Sequence, residues 1–528
     1  MRLTRRQFLA ATAVTPIFLP RFAQGQTSQT SDSLRLAGPV SGLSTLDPAL
    51  MRDLQTMSIV RQVFRGLLQF NVNLEPVADL GELIEQSSDL TSFTFKLRDG
   101  ASFADGRAMT AQDVIASYTR AVSPLIAGGA AGALAATAYL GDILGAADVL
   151  NGSVDSVVGL REIDSRTLSI TLEQPSATFL TRLASVPTSI VDGSQASNGL
   201  STWWQAANAT GPFTIAEVTE SLIRLEPNAM YVGTVPTLAV SFLLGANASN
   251  QLNLFQAGEV DFVTAASGSA STQFEDPASS IEAVIERTPL FATSYIALGN
   301  SQPPLDDVHI RRALQFLVSQ KLVAESTFAG SVEAATGIIP GGMLGRKWTS
   351  SLGQNIERAR IELAASKYGR ADRVPDLTIY AADIEPVEML RDLASAELGL
   401  KIDAIEVRWE DFLSGLAERR FPAYGLYWGA DYPDPEAILA MLFHSTGSDN
   451  YAGYVNPDFD AILNIARSVA DIDGRAALYQ EAQDLLIEDA AVIPLYFDVG
   501  VTISRPGIEG LTVTPLGILG LESVTSAS

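Results

Sequence analysis

The chain has 528 residues, 47% of them hydrophobic, with 60 acids against 35 lysines and arginines, two histidines and no cysteine. That length exceeds what one hydrophobic core fills, so two or three lobes are expected, and the missing thiols exclude disulfides and thiolate metal sites. A formal charge of −25 repels phosphate backbones and anionic lipid, which excludes nucleic acid and membrane surfaces as partners.

The first element is a leader. Thr4-Arg5-Arg6-Gln7-Phe8-Leu9 reads as a twin-arginine export motif, and an apolar run from Leu9 to Leu19, interrupted by Pro16, follows it. Ala23-Gln24-Gly25 offers the small residues that a signal peptidase accepts, and no acid precedes Asp32. The run is too short and too broken to span a bilayer core of about 30 Å as a helix. Residues 1–25 are therefore read as a signal peptide. The remainder is expected in the periplasm, without stable membrane insertion.

Further along, residues 93–97 and 167–172 alternate as half-buried strands do. Between them Thr110-Ala111-Gln112-Asp113 is a capping box that predicts a helix through about Ala121. The Ala- and Gly-rich stretch 126–138 reads as a loop running into a helix start. In the second half, Asp306 or Asp307 is placed to cap a helix carrying Ile310, Ala313, Leu314, Leu317 and Val318 on one face. Asn355 and Asp473 precede further helical patterns, the latter with Leu478, Ala482, Leu485 and Leu486 inward. Strands at 377–381 and 423–428 sit between those helices. The class is α/β, with mixed sheets covered by helices.

A catalytic inventory finds little. His309 falls in the first turn of a predicted helix, and His444 reads as a surface turn residue. No G-x-S-x-G elbow, H-E-x-x-H pair or phosphate loop occurs, and residues 341–347 lack the spacing and the hydroxyl that a phosphate loop needs. An exported hydrolase using two carboxylates is the weaker class, because nothing singles out a pair. No catalytic residue, metal ligand or cofactor is expected. The densest stretch is 424–435, where a strand ends at Trp428 and passes into a turn rich in Gly and Pro. That places Asp431 and the rings of Tyr427, Trp428 and Tyr432 at the C-terminal edge of a sheet, where open α/β folds bind ligands. There a carboxylate neutralises an ammonium and an indole covers an apolar side chain. Asp434 is read as the cap of the next helix, and Asp431 as facing a ligand.

Taken in order, Leu46-Asp47-Pro48, Val63 to Leu68, Thr110 to Val114, Thr210-Gly211-Pro212-Phe213, Gly258-Glu259-Val260-Asp261, Trp428 to Pro435 and Ile493-Pro494-Leu495-Tyr496 resemble one family. It comprises the large extracytoplasmic binding proteins of peptide- and nickel-type ABC transporters. The resemblance implies a two-lobed periplasmic-binding-protein clam-shell with mixed sheets and an extra subdomain on the first lobe. Lobe I would comprise residues 34–75, 191–287 and 491–528, the inserted subdomain 76–190, and lobe II 288–490, with crossovers near 295–298 and 494–497. It further implies a monomer that captures a short peptide, or a related amine-bearing solute, and delivers it to permease subunits of an ABC transporter. The alternative ligands on the same fold are a nickel chelate, an oligosaccharide or an opine-like compound, with His444 the one imidazole placed for nickel.

Peptide binders of this family hold the peptide ammonium with an aspartate after a tryptophan, a position that Asp431 matches. Trp428 and Trp409 match pocket-lining tryptophans, the alternative for Trp409 being core filling. Oligopeptide binders carry an arginine three residues before the tryptophan to help receive a carboxylate. This chain has Gly425 there.

Overall fold

A computed structural model describes residues 33–39, 42–51, 53–128, 134–196, 201–245, 248–265, 281–327 and 331–526. The leader with its twin-arginine motif, and part of the stretch 126–138, lie outside the described residues.

The strands that carry the architecture begin with β1 (Ser33–Ala37), β2 (Leu68–Phe70), β3 (Pro76–Ala78), β4 (Gly81–Gln86), β5 (Ser92–Leu97), β6 (Leu160–Asp164) and β7 (Thr167–Thr171). They continue through β8 (Phe213–Val218), β9 (Leu222–Pro227), β10 (Ala239–Leu243), β11 (Phe262–Ala265) and β12 (Val284–Leu298). The last are β13 (Glu333–Ala334), β14 (Leu377–Ala381), β15 (Ile402–Glu406), β16 (Ala423–Gly429) and β17 (Val492–Ser504). One large mixed sheet runs β15-β14-β16-β12-β17-β11-β1-β10-β9-β8, with β13 added beside β17. β1 is parallel to β10 and β11, and β14 to β15 and β16, while β12 is antiparallel to β16 and β17.

Two long strands join the halves of this sheet. The N-terminal part of β12, from Val284 to Pro289, pairs with Ser504 to Val499, whereas Thr293 to Ala297 pairs with Phe497 to Val492. Register shifts interrupt the ladder between Pro289 and Thr293 and again between Ser294 and Tyr295. Such breaks bend a strand where two units meet. The interruption begins a few residues ahead of the 295–298 expected from the resemblance.

A second, four-stranded antiparallel sheet, β4-β5-β7-β6, is set apart from the large one. Phe93, Phe95 and Leu97 of β5 point into its core with Leu168 and Ile170 of β7. The period of two in the sequence follows from that single buried face.

The caps follow local chemistry. Thr110 accepts from the Asp113 amide while the Asp113 carboxylate takes the Thr110 amide, starting the helix Ala111–Ala121. Asp307, not Asp306, caps Val308–Gln315, and Asp306 holds Lys367 instead. Asn355 caps Ile356–Ala365. One cap differs from expectation. Asp471, not Asp473, accepts from the Gly474 amide at 2.7 Å and starts Ile472–Glu488, which leaves Asp473 in the first turn facing Arg346. Asp434 accepts from the Glu436 amide at 3.0 Å at the start of Glu436–Phe443, as a capping acid does. His309 is half exposed beside Glu362, at 2.7 Å. His444 is partly buried in a turn, its Nδ1 accepting from the Thr446 amide at 3.1 Å. Among the described residues no helix is long and apolar enough to cross a membrane, and no cluster of three metal-ligating side chains occurs.

Candidate functional site

β16 runs beside β12 with Trp428 opposite Thr293 and Tyr427 opposite Ser294. Alternation along the strand puts Gly425 and Tyr427 on one face, Leu426 and Trp428 on the other. Beyond Gly429 the chain turns, anchored by the Ala430 amide on the Phe291 carbonyl at 2.8 Å. The site residues consequently divide between two cavities.

Asp431 lines a narrow cleft of about 40 Å³ whose other walls include Arg61, Arg65, Gln69, Tyr139 and Leu516. The Tyr139 hydroxyl donates to the Asp431 carbonyl at 3.4 Å. Burial, together with the adjacent Asp431 carboxylate, pushes that hydroxyl well above the usual phenol range. Across the cleft, Arg61 and Arg65 each approach Glu522 at 3.2 Å. Arg65 also holds Gln69 at 2.7 Å and Asp79 at 3.5 Å, and Asp79 accepts from Tyr231 at 2.7 Å. Sequence reasoning missed this wall. Its one available signal was Arg65 inside the Val63 to Leu68 segment, because the partners Asp79, Tyr231 and Glu522 are remote in sequence.

Trp409 and Tyr427 line a second, roomier cavity of about 270 Å³ together with Tyr295, Asp383, Phe412 and Tyr496. The Tyr427 hydroxyl donates to Asp498 at 3.1 Å. Trp409 is 53% exposed, which removes the core-filling reading. It leans on Phe412 with ring centroids 6.2 Å apart. Trp428 is half-buried, and its indole Nε1 is buried with no hydrogen-bond partner. Tyr432 lines neither cavity. It is 3% exposed, donates to Glu436 at 3.3 Å and meets Tyr139 edge-on at 6.2 Å, so it braces the turn that carries Asp431. At Gly425 a Cβ would meet Val387 Cγ2 at 3.1 Å and Ala381 Cβ at 3.3 Å. The side chains of Val387 and Ala381 crowd the position where oligopeptide binders carry an arginine.

A sheet in two halves, joined by two long strands and carrying cavities near the join, is the architecture of a bilobed solute-binding protein. The family model described as bacterial extracellular solute-binding proteins, family 5 Middle, matches residues 75–450, and the chain belongs to this family. Its members are extracytoplasmic binding components of ABC importers and not enzymes. The periplasmic oligopeptide-binding protein OppA of Escherichia coli strain K12 is 27% identical over 488 residues, covering 89% of this chain and 88% of that one. The oligopeptide-binding protein OppA of Bacillus subtilis strain 168 is 24% identical over 494 residues, covering 90% and 89%. The solved structure of the Escherichia coli murein tripeptide binding protein MppA matches with a TM-score of 0.76 at 23% identity, over 94% of this chain and 98% of that one. That likeness shows the shared two-lobed fold.

Proposed function

We propose that the chain captures a short peptide, or a related amine-bearing solute, between its two lobes and hands it to the permease subunits of an ABC importer. The observation that carries the reading is Asp431, an acid held at the mouth of the β16 turn beside Tyr139, inside a cleft between distant parts of the chain. A carboxylate so placed is the natural partner of a peptide ammonium. Trp409 and Tyr427 supply aromatic surface for ligand side chains in the second cavity, and Trp428 lies on the strand leading into the Asp431 turn. Relatives named for oligopeptides and for a murein tripeptide favour a peptide over a nickel chelate, an oligosaccharide or an opine-like compound.

In this reading lobe I comprises 34–75, 191–287 and 491–528, the subdomain 76–190 and lobe II 288–490. The interrupted β12–β17 ladder is the hinge. The protein leaves the cytoplasm by the twin-arginine route and works as a periplasmic monomer. Calorimetry against tripeptides to pentapeptides tests the ligand class, with saturable binding in the micromolar range or tighter expected. No heat from any peptide, alongside a raised melting temperature with sugars or nickel chelates, would overturn it.

A further inference from the structure

We propose that the cavity framed by Trp409 and Tyr427 is a pocket for a cationic ligand group, an ammonium or guanidinium such as a lysine or arginine side chain carries. This rests on the reading of the region as a ligand site and adds its charge selectivity. Five aromatic side chains stand in its wall, Tyr295, Trp409, Phe412, Tyr427 and Tyr496. Aromatic surface attracts cations electrostatically, more strongly as water is removed. Acids supply the rest of the field. Asp383 lines the cavity and Asp498 takes the Tyr427 hydroxyl at 3.1 Å. Burial raises the Tyr496 hydroxyl to about 12, and the charges of Asp383, Asp498 and Glu385 add to that rise, so all three act on this cavity.

Nothing opposes them from the walls. No lysine, arginine or histidine is among the described residues that line the cavity. Arg408, next to Trp409 in sequence, is 78% exposed and directed at Asp411 at 2.9 Å. Gly425 brings no side chain to the wall, and a Cβ there would press on Val387 and Ala381 at 3.1 and 3.3 Å. An anionic ligand group would therefore meet the Asp383 carboxylate and the field of Asp498 and Glu385 with no cationic side chain on the walls to offset them, and a neutral one would gain no charge interaction. A cation gains from the acids and the aromatic rings.

The test is a calorimetric scan of alanine tripeptides carrying lysine, norleucine or glutamate at each of the three positions in turn. At one position lysine is expected to bind about 10-fold tighter than norleucine, and tighter still than glutamate. In the Asp383→Asn/Asp498→Asn double variant that preference should shrink to about 2-fold while the norleucine peptide keeps its affinity, which separates lost charge recognition from a damaged fold. Norleucine or glutamate binding as well as lysine at every position would overturn the proposal, as would a lysine preference that survives in the double variant. If no tripeptide binds at all, the pocket is judged with arginine methyl ester and agmatine. Binding of either that the double variant loses supports the pocket, and absence of binding by both overturns it.

Discussion

Arg467 and Asp142, 325 residues apart, meet in an ion pair at the seam between the four-stranded sheet unit and the β14–β16 half of the large sheet. Arg182 holds the same carboxylate from its own side at 2.7 Å, and Arg467 also approaches Glu436 at 3.4 Å. The Thr178 hydroxyl donates to Glu436, and the Ala177 amide to the Arg467 carbonyl at 2.8 Å, so backbone and side chains both bridge the seam. Each side carries one acid and one base: Asp142 with Arg182, Glu436 with Arg467. Such a seam can part without stranding a buried charge, which suits a protein that opens and closes around a ligand.

Arg467→Met should cost about 1–3 kcal/mol of stability, because Glu436 loses its cation while Asp142 keeps Arg182. Urea denaturation reads the loss. A double-mutant cycle with Asp142→Asn should give a coupling energy near 1 kcal/mol, and a coupling of zero would show that the bridge contributes nothing.

Glu522 gives a pH prediction. Burial alone would raise its carboxyl, but Arg65 and then Arg61 outweigh burial and hold it at about 2 against an ordinary 4.5. Burial and the like charge of Arg65 push Arg61 down to about 10, whereas Arg65, which also faces Asp79, is held above its ordinary value. A depressed carboxyl stabilises the fold above its unfolded pKa and loses that contribution as pH falls through the folded one. Glu522→Gln should therefore cost up to about 3 kcal/mol at pH 7. The gap to the wild type should narrow steadily between about pH 4.5 and pH 2. Urea midpoints of both proteins across that range check it, and a gap independent of pH would refute the assignment.

Much of the fold was legible because its signals are local. Thr110 and Asp113 lie within one turn, and the alternation of β5 needs only five residues to show which face is buried. Local signals also set the limit. Asp473 has the chemistry of a cap, but Asp471 two residues earlier takes the Gly474 amide, and Asp473 pairs with the remote Arg346 instead. For the site, the sequence placed Asp431 and the aromatic residues on one strand and its turn. It did not show that the turn after Gly429 carries Asp431 to a different cavity from Tyr427, or that Trp409 stands exposed. The Arg61, Arg65 and Glu522 wall depends on contacts some 460 residues apart in sequence, beyond any local pattern.

Two glycines separate backbone crowding from side-chain crowding. A Cβ on Gly211 would lie 2.6 Å from the Gln62 carbonyl oxygen and 2.8 Å from the Val63 carbonyl carbon. Both are fixed backbone of the helix Leu54–Val63 and its end. Gly211→Ala should cost about 3 kcal/mol or more. At Gly425 the neighbours are the side chains of Val387 and Ala381, which can give slightly, so Gly425→Ala should cost about 1 kcal/mol. Adding Val387→Ala should recover part of the Gly425→Ala loss relative to Val387→Ala alone. Thermal melts of the four variants test this, and equal losses at the two glycines would contradict it.

The role of Asp431 can be isolated through the ligand as well as the protein. If its carboxylate receives a peptide ammonium, Asp431→Ala removes the partner of a desolvated charge and should weaken binding by about 2–5 kcal/mol. N-acetylation of the same peptide removes the charge from the other side and should weaken binding to the wild type comparably. The two losses should not add, since each deletes the same interaction, so Asp431→Ala should bind free and acetylated peptides with nearly equal affinity. Tyr139→Phe supplies the contrast. It removes the hydroxyl beside Asp431 but leaves the carboxylate, so the preference for the free over the acetylated peptide should survive while affinity falls by about 1 kcal/mol. Calorimetry of both peptides on the three proteins decides the matter. An Asp431→Ala protein that still discriminates between the peptides as the wild type does would place the ammonium elsewhere in the cleft.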